Sequence, residues 1–292
     1  METETIQQEN NNVKTESISQ SSFEEKPLTI GKMTLNVPLG IGTWAWGDSS
    51  TWGYKGYDSS FNDNTLKEAF MHAVERSVNF WDTAEIYGYG RSETLLGQFI
   101  KEYNTQNENN TNAVKFVVAT KFLPVPWRIT QGSFHSALDA SLKRLQRSPV
   151  ELYQVHGPAF SVRKVETWAE AMVEAYKAGK IENVGVSNYN ADQIRRTHAI
   201  LSKHGIPLVT NQVEFSLLRN NIMVNGLLDT CKELGITVIA YSPLGMGRLT
   251  GKYNTKNPPP GNRKFGHIEM KDLEVLIDKL RAIGDKHGKT PA

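Results

Sequence analysis

Apolar, β-branched runs recur along the chain at 37–42, 78–83, 115–121, 150–156, 181–187, 208–215 and 237–241. From the second run onward they start at intervals of about 30 residues. Each interval holds apolar positions at helical spacing. In 65–78 the stripe is Leu66, Ala69, Phe70, Ala73, Val74 and Val78, with Thr65 and Glu68 at capping-box spacing. In 92–103 it is Leu95, Leu96, Phe99, Ile100 and Tyr103, with Ser92 as the expected N-cap. Later stripes are Phe134, Leu138, Leu142 and Leu145; Val165, Trp168, Met172, Val173 and Tyr176; Ile194, His198 and Leu201; and Leu227, Leu228, Cys231 and Leu234. The last three close on Gly179, Gly205 and Gly235, the residue type that ends helices in a left-handed conformation. A final stripe, Leu273, Leu276, Ile277, Leu280 and Ile283, precedes Gly288.

Strands that are apolar throughout, each followed by a helix, predict a parallel sheet covered by helices. Seven of them at this period favour an α/β (β/α)8 TIM barrel over a doubly wound sheet. No G-x-G-x-x-G follows any strand, which counts further against a Rossmann arrangement. Residues 28–36 read as a hairpin turning at Gly31-Lys32 and capping the barrel floor. The segment 104–112 holds five Asn and reads as a surface loop.

Composition leaves this picture standing and excludes others. The 292 residues are 39% hydrophobic and 22% charged, the balance of an ordinary globular chain. Cys231 is the only cysteine, which excludes an intramolecular disulfide and a Cys-rich zinc site and suits a reducing compartment. No apolar run is long enough to insert into a membrane. The net charge of +2 divides into −4 over residues 1–26 and +6 over the rest, too dilute for a nucleic-acid partner. Residues 1–27, rich in Gln, Asn, Ser and Glu, read as a disordered polar and acidic tail. That tail has neither the apolar core of a secretory signal nor the arginines of a transit peptide, so the expected location is cytoplasmic.

In a barrel, chemistry sits where strands end. The second run ends at Asp82, with Tyr87 five residues on; the third ends at Lys121 and the fourth at His156. Each residue alone has a structural reading: a turn cap, a lysine reaching solvent, a core histidine. Together they bring four titratable types to one mouth, and an Asp–Lys pair buried there costs desolvation that packing alone does not explain. Such a set supports proton donation by Tyr87. A nearby Lys121 cation favours the phenolate and lowers the phenol's pKa, Asp82 holds the lysine, and His156 orients a substrate oxygen. His135, His204, His267 and His287 show no ligand spacing, and no metal is expected. His72 and His198 lie on helices and read as packing residues.

These residues and the words around them, FWDTAEIYG, VATKF, YQVHGP, GVSNY, NQVEFSLL and AYSPLGMGRLTGKY, resemble the aldo-keto reductase family. The likeness spans 28–292. It is nearest to the subgroup of plant and microbial reductases and potassium-channel β-subunits. The resemblance implies NADPH-dependent reduction of an aldehyde or ketone, reversibly, with Tyr87, Asp82, Lys121 and His156 as the catalytic tetrad. It implies NADP(H) contacts at Thr43, Asp82, Ser187, Asn188, Gln212, Tyr241, Ser242, Pro243, Leu244, Gly245, Gly247, Arg248 and Lys252. Trp44, Trp46, Tyr54 and Trp127 are expected to wall a small carbonyl substrate, with Trp52 in the same loop.

Against that family the chain departs at its end. It stops at Thr290-Pro291-Ala292, the opening of another helix, before the family's strand eight, last helix and basic 2′-phosphate segment. The barrel domain 28–292 is therefore expected to be incomplete, less stable and weaker in cofactor binding than a longer form. Two alternatives to an active reductase remain open on sequence: a nucleotide-binding regulatory subunit with little turnover, and an inactive truncated product. The oligomeric state is also open.

Overall fold

The structure, a computed structural model, describes residues 26–56, 58–158, 160–259 and 268–292. The acidic tail, up to residue 25, and His267 lie outside the described residues. Strands β1 (Leu28–Ile30) and β2 (Met33–Leu35) form the antiparallel hairpin, with Gly31 left-handed at its turn. Seven parallel strands follow in chain order and curve into a nearly closed barrel: β3 (Gly40–Gly42), β4 (Phe80–Asp82), β5 (Val117–Phe122), β6 (Leu152–Val155), β7 (Val184–Ser187), β8 (Leu208–Glu214) and β9 (Thr237–Tyr241). Helices α1 (Asp63–Glu75), α2 (Arg91–Gln106), α3 (Gln131–Leu145), α4 (Val165–Lys177), α5 (Ala191–Ser202) and α6 (Leu227–Glu233) occupy the crossovers. Helix α7 (Met270–Lys286) comes after β9. This is the TIM-barrel arrangement that the strand–helix period predicts, with seven parallel barrel strands among the described residues.

Two cores hold it. The larger lies between strands and helices, where Trp81, Phe70, Phe122, Phe134 and Trp168 interlock with no exposed area. Side chains of this size contribute on the order of 2–3 kcal/mol each on burial. The smaller core fills the barrel floor, where Phe80, Ala119, Leu152 and Val209 meet Ile30, Met33 and Leu35 of the hairpin. Two buried asparagines clamp the hairpin there. Asn183 accepts the Lys32 N–H at 2.8 Å, and Asn79 accepts the Asn36 N–H at 2.9 Å.

Two helix starts differ from the sequence reading. Helix α1 begins at Asp63: Asn62, not Thr65, is the N-cap, its side chain accepting the Thr65 N–H at 3.3 Å while Thr65 Oγ1 accepts the Asn62 N–H at 3.2 Å. Helix α2 begins at Arg91 after a left-handed Gly90, and Ser92 is fully buried. The Ser92 hydroxyl is shared with those of Thr43 (2.7 Å) and Thr83 (2.8 Å), so it ties the helix to two strand ends. The Asn-rich segment is helical as far as Gln106, because Tyr103 still faces the core. His72 is exposed, 3.1 Å from Glu75, and not a packing residue.

Candidate active site

Strand register sets the site. Asp82 ends β4 level with Gly42 of β3, and Ser187 ends β7 level with Gln212 of β8. Alternation turns Asp82 and Lys121 inward, two residues beyond Phe80 and Ala119 of the floor core. In β8 a register shift at Val209 leaves Gln212 facing the same way, where it reaches Asp82. Above them opens a cavity of about 950 Å³, within the size range of small-molecule sites. Asp82, Tyr87, His156, Ser187, Asn188, Gln212, Tyr241 and Ser242 line it.

Lys121 has no exposed area. Its Nζ donates to Asp82 Oδ2 at 2.7 Å, to the Thr83 carbonyl at 2.8 Å and to the Tyr87 hydroxyl at 3.3 Å. The other Asp82 oxygen accepts from Gln212 Nε2 at 2.8 Å. Burial alone lowers the lysine's proton affinity, but Asp82 and Tyr87 outweigh it, so Lys121 is held as an ammonium above its ordinary value. Tyr87 moves opposite to the sequence expectation. Burial raises the phenol above its ordinary value, and the opposing pull of Lys121 recovers only part of that. His156 stands edge-on to Tyr87, ring centres 5.6 Å apart. Burial, with Lys121 nearby, pushes its pKa down to about 3, and Nδ1 is buried without a hydrogen-bond partner among the described residues.

Tyr87 opens a short 3-10 turn, Tyr87–Gly90, in which Gly88, Tyr89 and Gly90 are all left-handed. Gly88 lies against the Gly47 backbone, where a Cβ would come within 2.8 Å. That contact seats the loop after β3 beside the Tyr87 turn, with the Trp44 ring 6.4 Å from that of Tyr87.

At the far side Asn188 is left-handed (φ +57°). Its amide donates to the His156 carbonyl at 3.2 Å and accepts from the Tyr241 hydroxyl at 3.0 Å. Ser187 Oγ donates to the Gln212 carbonyl at 2.9 Å. Beyond Tyr241 the chain runs through left-handed Ser242, Gly245, Met246 and Gly247, closing tight turns such as Gly245 N–H to Ser242 O at 2.9 Å. These amides beside a phenol and a set of compact turns are a donor and acceptor set that fits a nicotinamide and its phosphates.

Several predicted positions are not part of this cavity's lining. Thr43 is fully buried and donates to the Asp82 carbonyl at 2.9 Å, so its side chain braces the strand end and does not face the cavity. From the loop after β9, Ser242 and Met246 line this cavity, and Pro243, Leu244, Gly245 and Gly247 lie outside its lining. Arg248 is buried, its guanidinium donating to the Ile268 carbonyl, which turns it toward the start of α7. Lys252 is exposed over the Tyr253 ring. Of the expected aromatic wall, Trp44 and Trp52 line the cavity, ring centres 5.6 Å apart. Trp46 does not: it is buried against Trp81 and Phe99 in the helix-side core. Tyr54 is also buried, hydrogen-bonded to Asp63, and Trp127 is 77% exposed outside the cavity. Ile86, Tyr89, Leu123 and Phe160 complete the wall. The sequence reading passed over them, although each sits within a few residues of a strand end or of Tyr87 or His156. Among the described residues no His, Cys, Asp and Glu cluster could hold a metal ion, and no helix is long and apolar enough to cross a membrane.

Comparison with known proteins agrees with the barrel. A sequence model of the Aldo/keto reductase family matches residues 38–292, and the chain belongs to that family. It is 42% identical over 262 residues to the chloroplastic pyridoxal reductase of Arabidopsis thaliana, covering 87% of this chain and 69% of that protein. In fold it matches the glycerol dehydrogenase AKR11B4 of Gluconobacter oxydans, with a TM-score of 0.74 and 24% identity, over 91% of this chain and 80% of that one. It likewise matches an aldo-keto reductase of Klebsiella pneumoniae crystallised with NADPH, with a TM-score of 0.66 and 23% identity, over 91% and 78%.

Proposed function

We propose that this chain reduces an aldehyde or ketone to an alcohol with NADPH, reversibly, and that Tyr87 is the general acid. The observation that carries the reading is the chain Gln212–Asp82–Lys121–Tyr87, ending on a phenol beside His156 in the cavity. The reduced nicotinamide, when bound, supplies the hydride. Asn188, Gln212 and Ser187 would hold its carboxamide, Tyr241 would meet the ring, and the turns from Ser242 to Gly247 would hold the phosphates. NADP(H) as the cofactor is supported by family membership and by the Klebsiella reductase that binds it.

The protein's part is proton supply and charge control. The substrate oxygen sits between the Tyr87 hydroxyl and His156. A buried phenol with raised pKa stays protonated at neutral pH and gives up its proton only as the far more basic alkoxide develops. The Lys121 ammonium stabilises the phenolate left behind, and Asp82 keeps that ammonium in place. His156 stays neutral and donates a hydrogen bond without competing as an acid.

The aromatic wall of Trp44, Trp52 and Phe160 suits a planar aldehyde, and the Arabidopsis relative is a pyridoxal reductase, so pyridoxal is the first substrate to try. The test follows NADPH oxidation with pyridoxal and a panel of aromatic and aliphatic aldehydes, beside Tyr87→Phe. Turnover lost by about 10²–10⁴-fold in the variant, with NADPH binding retained, supports the reading. Tight NADPH binding with no turnover on any carbonyl overturns it in favour of a regulatory role.

A further inference from the structure

The segment that carries Tyr87 is tied to the segment that carries Lys121 by an ion pair that lines no part of the cavity. Glu85 stands two residues before Tyr87. Its carboxylate accepts the Leu123 N–H at 2.7 Å and both arms of the Arg128 guanidinium, Nη1 on one oxygen and Nη2 on the other at 3.1 Å. Arg128 Nη1 also donates to the Leu123 carbonyl at 3.1 Å, and the guanidinium lies 5.1 Å above the Phe122 ring. The Glu85 N–H points at the Lys121 carbonyl at 3.4 Å. The carboxylate is 9% exposed and the arginine 28%.

Stability is a poor account of this pair. A desolvated ion pair is often no better than apolar side chains of similar volume. What a forked arginine and a carboxylate on a backbone N–H do supply is a fixed separation. Here they fix the turn after β4 against the end of β5. Of the three bonds made by Lys121, the one to Tyr87 is the longest at 3.3 Å, against 2.7 and 2.8 Å to Asp82 and Thr83. A slip of about 0.5 Å between the two segments takes that contact out of hydrogen-bond range and leaves the two shorter ones within it.

We propose that Glu85, held by Arg128, is a positioning residue that sets the reach of Lys121 to Tyr87. This rests on Tyr87 being the acid. The test uses the full chain with a carbon-13 label at tyrosine Cζ, the Tyr87 resonance being identified by its loss in Tyr87→Phe. In Glu85→Ala that resonance moves with neither substrate nor cofactor present. kcat falls about 10- to 100-fold, while KM and the NADPH Kd stay within about threefold. Glu85→Gln, which keeps an acceptor for Leu123, recovers most of both signals. Should Glu85→Ala not fold, Arg128→Ala replaces it and moves the same resonance. A folded variant with the wild-type resonance and kcat overturns the proposal. So does a Glu85→Gln as impaired as Glu85→Ala. If the wild-type chain reduces no carbonyl, the functional reading fails, and the resonance alone still decides the positioning.

Discussion

Gly47 and Gly88 face each other so closely that a Cβ on Gly88 would lie 2.8 Å from the Gly47 carbonyl carbon and 2.9 Å from its Cα. Gly88 also has a φ of +53°, a conformation that side chains disfavour. Gly88→Ala therefore meets both strain and a backbone clash. The expected cost is about 1–3 kcal/mol, read as a lower denaturant midpoint. Because Gly88 adjoins Tyr87, kcat is expected to fall in the same variant, whereas an alanine at exposed Gly179, with nothing within 4 Å, leaves kcat unchanged.

His156 gives the protein an acid sensitivity with a definite sign. Its pKa is about 3 when folded, against an ordinary 6.5. Between those values the unfolded chain binds a proton that the folded chain does not, so stability falls as pH drops from 6.5 toward 3. At pH 5 the loss is on the order of 2 kcal/mol relative to pH 7. Urea melts at the two pH values should show that difference, and His156→Gln should reduce it. The rate of reduction should show no titration near pH 6.5.

The two-tryptophan wall separates substrate contacts from the other indoles. Trp44→Ala is expected to raise KM for an aromatic aldehyde about 10-fold or more, consistent with losing one well-placed aromatic contact. Trp127→Ala, on a side chain outside the cavity, leaves KM unchanged. Trp46→Ala acts on folding: it empties a core site at a cost of about 3–5 kcal/mol. Steady-state kinetics and denaturation on the three variants distinguish these roles.

Glu93 is fully buried, accepting from Thr120 Oγ1 at 2.5 Å and from Arg144 Nε at 2.6 Å. Arg144→Ala strands that carboxylate. The expected loss is about 3–5 kcal/mol. Converting Glu93 and Arg144 together to Gln and Leu should cost less than Arg144→Ala alone, a result that a double-mutant cycle in denaturant reads directly.

The barrel was legible because parallel strands are buried on both faces and therefore apolar throughout, while the helices between them keep a 3.6-residue stripe. Helix starts were less so. Asn62, Asp63, Asn64 and Thr65 all have capping side chains, and only the extended backbone at Asn62 selects it. The inward residues of the site were legible from their place at strand ends. The wall was not. Trp44 and Trp46 are two residues apart, yet a turn closed by Trp46 N–H to Thr43 O at 2.9 Å sends one to the mouth and the other to the core. The direction of the Tyr87 shift depends on depth: a neighbouring cation can be guessed from order along the chain, whereas the desolvation opposing it depends on loops that close over the ring.

The hairpin at the barrel floor also bears on how the chain is made. Lys32 finds its acceptor in Asn183, 151 residues further on. At ordinary rates of synthesis that partner emerges roughly 8–30 s after the hairpin does. Through that interval Ile30, Met33 and Leu35 have only part of their floor, because Val209 follows Asn183 in the chain. The hairpin, made before the strands it covers, is thus among the last parts of the barrel to be seated, and a nascent chain stalled before β7 presents its apolar side chains to whatever lies near the ribosome.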